Sequence, residues 1–328
     1  MKKLFLSLVA LIAATVSYAQ NTLVATLSHG EDISVYYGVN ALKNAYKHAV
    51  TGDVINLSEG TFEPVDITKG ISIRGKGAYE TKINNAFNIE ISPDDTNRFS
   101  MDGIGCEGSV VMKGTFSNPY FMKCLFDGGI SSSGTINNAL LVNCYVSGGY
   151  RAYTLSTTST VQFINCFVRG LSNSNKSGEK MNASFINCLL YRTYDGGYFE
   201  DFDSSYFLNC VFYSYGSYGS DVKLKSTNLA EYCVAIGCSG LFNNIQNGSS
   251  LNRTTTAQVF FKNTYNYELT DEAKTRYLGD DGTEVGLYGG LMPYDLTPLY
   301  PRIAKMNVAK RTTNDGKLSV DIEVSATE

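Results

Sequence analysis

The sequence predicts an all-β protein built as a solenoid of stacked coils. The first observation is an Asn-Cys pair that recurs every 22 residues, at Cys144, Cys166, Cys188 and Cys210. The second is a composition with 31 Gly, 23 Tyr and 17 Phe but only 6 Pro and no Trp, which is typical of strands joined by tight turns. A unit of 22 residues cannot bury its own apolar face, so we expect the units to stack around a continuous core.

The repeat includes the residues around each cysteine. An asparagine precedes it, and large apolar residues stand three and two places before it and two places after it. The asparagines are Asn143, Asn165, Asn187 and Asn209. Cys124 extends the series at a spacing of 20, with Lys123 in place of the asparagine, and Cys106 and Cys233 are predicted to mark further coils.

This repeat has a structural explanation. Parallel pairing of successive coils places equivalent residues about 4.8 Å apart, so the apolar positions form interior ladders. Each buried Phe or Ile then contributes roughly 1.5–3 kcal/mol. Asparagine suits a turn because it tolerates the left-handed region, and its amides can also bond along the stack. We therefore interpret the four Asn-Cys pairs as architecture.

The eight cysteines of the chain allow two states. A ladder of small buried thiols fits their apolar neighbours, whereas export and the short distance between coils permit disulfides. Cys233 and Cys238 are the pair best suited to a disulfide. With only two histidines, His29 and His48, and no C-x-x-C pair, the sequence predicts no metal site.

The first nineteen residues are predicted to be a signal peptide. Lys2 and Lys3 precede an apolar stretch over residues 4–16, and Ser17-Tyr18-Ala19 supplies small residues for cleavage before Gln20. The pattern has a bacterial style and predicts export to the periplasm, the cell surface or the extracellular space. No later apolar stretch approaches the length of a membrane span.

The next segment predicts the start of the solenoid. Residues 40–50 place apolar side chains at helical spacing, which indicates a short amphipathic capping helix. Residues 54–57 alternate like a strand, residues 59–62 are predicted to form a turn, and residues 71–73 form the next strand.

These segments resemble the entry to right-handed parallel β-helix proteins of the pectate-lyase-like superfamily. In that family a helix is followed by a GD-I-x-L-x-x-G-x-Y/F stretch and an I-x-I-x-G-x-G stretch. The matching residues here are Gly52, Asp53, Ile55, Leu57, Gly60, Phe62, Ile71, Ile73, Gly75 and Gly77. Residues 281–290, DGTEVGLYGG, resemble the last turn of uncharacterised exported β-helix proteins of Bacteroidetes. The resemblance implies a right-handed single-stranded parallel β-helix over residues 20–295.

Residues 296–328 are predicted to form a C-terminal β-hairpin, as a cap or tail. Leu318, Val320, Ile322 and Val324 alternate with polar residues, and Asn314-Asp315-Gly316 suits the connecting turn. We expect this hairpin to cover the open end of the solenoid.

Candidate ligand-binding residues follow the cysteines. Registering the coils by 22 residues places Arg169, Tyr191 and Tyr213 in one outward column, with further tyrosines in the nearby loops, namely Tyr194, Tyr198 and Tyr215. Tyrosine rings stack on sugars and leave a hydroxyl for hydrogen bonding. The alternative is that tyrosine simply suits β surfaces.

An enzymatic alternative depends on four carboxylates near these tyrosines, Asp195, Glu200, Asp201 and Asp203. A glycoside hydrolase needs two carboxyl groups. A polysaccharide lyase of the superfamily would instead need acidic ligands for calcium and a basic residue, for which Arg151, Arg169, Lys176, Lys180 and Arg192 are in range. The Gly-His-Gly of polygalacturonases is absent from the sequence.

We therefore expect a monomeric, non-catalytic exported protein, without a cofactor, that acts as a glycan-binding or adhesive scaffold. The alternative is a polysaccharide lyase or glycoside hydrolase with its site in residues 151–225. A formal charge of −4 without a basic stripe argues against nucleic acid as a partner.

Overall fold

The computed structural model describes residues 23–148, 150–154, 160–169, 183–192, 202–215, 223–245, 251–298, 302–308 and 320–325. The predicted signal peptide lies outside these ranges. The fold is a parallel β-solenoid with coils of about 22 residues, as predicted.

Two long sheets run the length of the solenoid. Within the described residues, sheet A has eleven strands, which are, in order across the sheet, β2 (Asp32–Tyr37), β1 (Val24–His29), β3 (Val54–Leu57), β5 (Ser72–Arg74), β8 (Ser100–Asp102), β11 (Tyr120–Met122), β14 (Ala139–Val142), β17 (Val161–Ile164), β19 (Ala183–Ile186), β21 (Tyr206–Leu208) and β23 (Leu229–Glu231). Over the same ranges sheet B has ten, β4 (Gly60–Phe62), β6 (Thr81–Ile83), β9 (Gly105–Cys106), β12 (Leu125–Phe126), β15 (Tyr145–Val146), β18 (Phe167–Arg169), β20 (Leu189–Arg192), β22 (Val211–Ser214), β24 (Val234–Ile236) and β25 (Arg253–Thr255).

Shorter elements complete the described part of the fold. Sheet C forms a third side of the early coils and contains β7 (Phe87–Ile89), β10 (Val110–Ser117), β13 (Ile130–Asn137) and β16 (Tyr150–Thr154). The helices are α1 (Ala41–His48), α2 (Ala257–Phe260) and α3 (Asp271–Arg276). An antiparallel hairpin of β26 (Arg302–Val308) and β27 (Val320–Ser325) follows.

The pairing register confirms the cysteine ladder. The residues directly after the cysteines pair with one another through sheet B, so Cys124, Cys144, Cys166, Cys188, Cys210 and Cys233 occupy one column. Cys106 marks a further coil, as predicted, but at a different position of that coil. It pairs with Phe126, two places beyond Cys124, and Ile104 takes the cysteine position of its coil. Cys106 therefore marks a coil but belongs to the next inward column.

The core consists of like side chains stacked on like. Phe185 lies between Phe163 and Phe207, with ring centroids 4.8 Å and 5.1 Å away and nearly parallel planes. All three rings are fully buried. Offset stacking of this kind adds about 0.5–1.5 kcal/mol to the burial of each pair.

The asparagines turn the chain from sheet A to sheet B. Asn143, Asn165, Asn187 and Asn209, which we call the asparagine corners, have φ between +48° and +55°. Lys123 and Tyr232 have φ of +53° at the equivalent positions of their coils. Asparagine is the non-glycine residue that adopts the left-handed region at least cost, which explains its recurrence at this corner.

The eight cysteines are free thiols, and all are buried. The predicted disulfide between Cys233 and Cys238 is therefore wrong. The Cys233 thiol lies 3.5 Å from the carbonyl oxygen of Phe207, whereas the Cys238 thiol lies 4.0 Å from that of Phe212. Burial raises the pKa of Cys238 to about 12, so this thiol is neutral and unreactive in the folded protein.

The N-terminal cap largely follows the prediction. Helix α1 buries Leu42 and Tyr46 against the first coil, and β1 pairs antiparallel with β3. One element differs, because residues 60–62 form β4 and not a turn. The corner lies at Gly60, whose φ of +116° directs Phe62 into the core.

Residues 257–298 run back along the outer surface of the solenoid, and we call them the return segment. Leu287 and Val285 pack on outward residues of sheet B, including Val211 and Phe167. At its end Pro298 lies beside Gly103, in an early coil. The return segment thus covers much of the outer face of sheet B.

The asparagine corners bind this segment. The Asn165 amide donates to the carbonyl oxygens of Leu287 and Gly289, both at 2.8 Å. Asn209 donates to the Asp280 carboxylate at 2.8 Å and accepts from its backbone N–H at 3.0 Å. Lys123 continues the column in the same way, since its ammonium group donates to the Thr297 carbonyl.

These contacts replace most of the predicted bonding along the stack. Among the described residues, the corner amides bond one another only between Asn209 and Asn187, at 3.4 Å. Asn165 and Asn209 therefore have two roles, since each shapes its coil and also binds the return segment.

The C-terminal hairpin is confirmed between residues 302–308 and 320–325, which pair antiparallel with Val308 opposite Val320. Its turn at residues 314–316 lies outside the described residues, and closure of the open end stays a prediction. Three residues separate Pro298 from β26, so the hairpin begins near the early coils.

We predict that Asn165→Gly destabilises the protein by about 1–3 kcal/mol, because Leu287 and Gly289 lose a buried amide donor. Denaturant unfolding measures this change. Asn143→Gly is the matched control, since Asn143 has a similar φ and its side-chain oxygen has no hydrogen-bond partner in the described structure. Equal costs for the two variants would contradict a specific role in binding the return segment.

A second prediction concerns the thiols. Because all eight cysteines are buried and free, the native protein should not react with DTNB over minutes, and the unfolded protein should release eight equivalents. Fewer than eight equivalents from unreduced, unfolded protein would show that disulfides form.

Candidate functional site

The predicted tyrosine column exists. Arg169 pairs with Tyr191 and Tyr191 with Tyr213 along sheet B, so the three residues lie on one outward line. Their exposure differs, however. Arg169 is exposed and Tyr191 is half-buried, whereas Tyr213 is only 5 % exposed.

The return segment covers this column. The Tyr213 ring lies 5.4 Å from the ring of Phe261, and the Tyr191 ring lies 6.1 Å from that of Tyr267. A sugar cannot stack on Tyr213 while Phe261 occupies that face. Tyr215 is exposed at the edge of the same sheet, and Tyr194 and Tyr198 lie outside the described residues.

Of the four candidate carboxylates, the described residues include one. Asp203 is half-buried and accepts a hydrogen bond from the Ser204 hydroxyl at 3.2 Å. The other three, Asp195, Glu200 and Asp201, lie outside the described ranges, as do Lys176 and Lys180. Among the described residues, no three His, Cys, Asp or Glu side chains lie together in a way that suits a metal ion.

A different surface has the geometry of a binding site. An open groove of about 680 Å³ crosses the outer face of sheet A where each coil enters that sheet. We call it the sheet A groove, and its lining residues are Arg98, Asn118, Asn138, Ala139, Leu140, Thr160, Val161, Gln162, Ala183, Ser184 and Tyr206. From Arg98 to Tyr206 the groove passes five strand spacings, or about 24 Å.

Amides and hydroxyls form a ladder along one wall of this groove. The Thr160 hydroxyl donates to the Asn138 side-chain oxygen at 2.9 Å and accepts from the Asn138 backbone N–H at 2.8 Å. The Asn138 amide in turn donates to the Asn118 side-chain oxygen at 3.3 Å. These bonds fix the orientation of exposed polar groups, which lowers the entropy lost when a ligand binds.

A cation lies at one end of the groove. The Arg98 guanidinium is 4.2 Å from the centre of the Tyr120 ring, and its Nε donates to the Asn118 carbonyl oxygen at 3.0 Å. The cation–π contact and the hydrogen bond together position this exposed side chain. The planar guanidinium is the preferred protein group for a carboxylate or sulfate.

A tyrosine ring lies at the other end of the groove. Tyr206 donates to the Glu231 carboxylate at 3.1 Å. Burial and this carboxylate raise the pKa of Tyr206 to about 12, so the phenol stays protonated at neutral pH. The ring of Tyr206 lines the groove and offers an apolar face for stacking.

The sequence contained a signal for this groove that sequence reasoning missed. Asn118, Asn138, Thr160 and Ser204 all stand six places before a ladder cysteine. Three of them, Asn118, Asn138 and Ser204, have positive φ, which marks a second corner of the coil. The polar column was missed because it lies six residues before the cysteines, outside the Asn-Cys motif that defines the repeat.

A buried carboxylate lies on sheet A apart from the groove. Asp102 is 5 % exposed and neither of its oxygens has a hydrogen-bond partner among the described residues. Burial raises the pKa of Asp102 to about 6, against the opposing effect of Lys123 and Arg74. The positive charges therefore compensate only part of the desolvation.

No known family matches the chain, and no curated protein matches it significantly in sequence. In the part of the chain that the structure describes, none of the helices is both long and apolar enough to cross a membrane.

We predict that protonation of Asp102 stabilises the protein as the pH falls from about 7 to 4. The pKa of Asp102 is about 6 in the folded state and 3.8 ordinarily, so the folded state binds the proton more tightly. The full effect is about 3 kcal/mol, present below the ordinary pKa and lost as the pH rises through the folded one. The unfolding free energy, measured by denaturant unfolding at each pH, should change less with pH in Asp102→Asn than in the wild-type protein.

His29 is the necessary control for this experiment. Its pKa is raised by the hydrogen bond to Asp53, so it contributes stability that is also lost with rising pH, near neutrality. The His29→Gln variant removes that contribution. If adding Asp102→Asn to His29→Gln leaves the dependence of the unfolding free energy on pH unchanged, Asp102 is not the group that causes this dependence.

Proposed function

We propose that this protein is an exported, non-catalytic β-helix that binds a polysaccharide or cell-surface glycan in the sheet A groove. The observation that carries the proposal is the ladder of oriented amide and hydroxyl groups at Asn118, Asn138 and Thr160. Sugar hydroxyls both donate and accept hydrogen bonds, and amides and hydroxyls match them in both directions.

The dimensions support a polymeric ligand. The groove extends over about 24 Å, and its amide and hydroxyl ladder repeats in three successive coils at Asn118, Asn138 and Thr160. Successive sugar units of one chain would therefore meet similar partners along this ladder. It is open along the solenoid axis and shallow, whereas sites for small molecules bury most of their ligand.

We also propose membership of the pectate-lyase-like superfamily and an origin among the Bacteroidetes. The parallel solenoid and the N-terminal Gly52-Asp53 and Ile71–Ile73 motifs support the first proposal. The tail motif at residues 281–290 supports the second, and the predicted leader at residues 1–19 supports export.

A polysaccharide lyase or glycoside hydrolase is the second candidate. Asp203 lies three residues before Tyr206 in the sequence, and the Tyr206 side chain lines one end of the groove. Acid or base catalysis needs a carboxylate beside the bound glycan, and Asp203 is the candidate carboxylate within the described residues.

We predict that Gln162→Ala and Arg98→Ala each weaken glycan binding about fivefold to tenfold, since each removes hydrogen bonds worth about 1 kcal/mol. The measurement is a polysaccharide-binding screen of purified protein with calcium present, followed by calorimetry on the best ligand. Unsaturated-product absorbance and reducing-sugar release are recorded in parallel.

Tyr191→Ala is the matched control, because Tyr191 lies on sheet B under the return segment. A loss of binding in Tyr191→Ala with wild-type binding in Gln162→Ala would place the site on sheet B and contradict the proposal. Cleavage that disappears in Asp203→Asn would favour the enzymatic candidate.

A further inference from the structure

The first edge of sheet A is open and apolar. Among the described residues, strand β2 is the outermost strand and pairs with β1 on one side only. Its residues Ile33, Val35 and Tyr37 are 68 %, 45 % and 64 % exposed. They alternate along the strand, so they form one continuous apolar row on the outer face of the sheet.

The backbone of the same three residues faces the open edge. Gly38 N–H donates to the Leu23 carbonyl oxygen at 2.8 Å, which makes these two residues a hydrogen-bonded pair. Pairs alternate along an antiparallel ladder, and Val35 stands opposite Thr26 at a non-hydrogen-bonded position. The N–H and C=O groups of Ile33, Val35 and Tyr37 therefore point away from β1.

Strand β2 lacks three of the features that usually protect an edge strand. Natural edges carry lysine, proline or a bulge that blocks further pairing. The sequence of β2, DISVYY, has neither lysine nor proline, and its register with β1 is regular over six residues.

We propose that β2 pairs antiparallel with β2 of a second copy of this chain, so that sheet A continues across a two-fold axis at Val35. In this register Val35 faces Val35 of the second copy, and Ile33 faces Tyr37. The backbone groups of Ile33, Val35 and Tyr37 face the open edge in each copy. The three residue pairs that they form across the axis each exchange two hydrogen bonds, which gives six in total. Pairs of aromatic and β-branched residues are among the favourable cross-strand pairs.

Charge complementarity favours a second copy as the occupant. Glu31 and Asp32 precede or begin β2, and in this register they lie opposite residues 38 and 39 of the second copy. Helix α1 follows there, with Lys43 in its first turn and no acidic residue to balance its N-terminus. The acidic end of each strand thus meets the positive end of the other copy.

The contact is small, which sets the expected affinity. Six residues from each copy bury less surface than the roughly 1,200–2,000 Å² of stable interfaces. The dimer should therefore form at micromolar or higher concentration, or where copies are held at a shared surface.

The test uses sedimentation velocity of the purified protein from micromolar to near-millimolar concentration. Wild type should show a concentration-dependent dimer, and Val35→Lys should raise its dissociation constant about tenfold or more, because two like charges then face each other on the axis. A protein that stays monomeric throughout overturns the proposal.

Cysteine cross-linking tests the register. In Val35→Cys the two new cysteines face each other within disulfide range, whereas in Ser34→Cys they lie about 8 Å apart, which is outside it. The eight native thiols are buried, so mild oxidation should link Val35→Cys into dimers and leave Ser34→Cys unlinked. Equal cross-linking of the two variants contradicts this register.

Discussion

The left-handed corner between sheet A and sheet B is the constraint on which the described structure depends. It recurs at φ near +50° in every coil that carries an asparagine corner. The chain turns there from sheet A into sheet B, and the cysteine that follows each asparagine is fully buried. Because the corner is fixed, each phenylalanine three places before the cysteine enters the same interior stack. The cysteine enters its own buried column for the same reason. A regular corner thus yields a regular core.

The same corner decides which surfaces remain open. At this corner the Asn165 and Asn209 amides bind the return segment. That segment buries Tyr213 beneath Phe261 and half-buries Tyr191 beside Tyr267. Sheet B is in this way removed from contact with large ligands over much of its length. The outer face of sheet A keeps its oriented amides and hydroxyls exposed, and for this reason we propose that face as the glycan-binding surface.

The sequence alone predicted the contacts between equivalent positions of successive coils, but it did not predict the contacts between the coils and the return segment. The spacing of the cysteines predicted the coils and their register, because in-register stacking is a local rule applied many times. The cover over Tyr213 depends on Phe261, almost fifty residues later, and nothing in the spacing indicates that contact. The same limit applies to Asp102, whose pKa depends on burial and on Lys123 in the next coil. Cys106 marks a coil as the sequence predicted, although Ile104 takes the position that cysteine occupies in the other coils.

Hydrogen exchange of the return segment tests the central claim most directly. The Asp280 N–H donates to the Asn209 side-chain oxygen, and the Gly286 N–H donates to the Asn209 backbone carbonyl oxygen. Both backbone amides should therefore be protected from exchange nearly as well as those of β19 and β21. In Asn209→Gly the Asp280 amide should exchange faster while the two strands keep their protection. Rapid exchange throughout residues 278–298 of the wild-type protein would contradict the claim that the asparagine corners bind this segment.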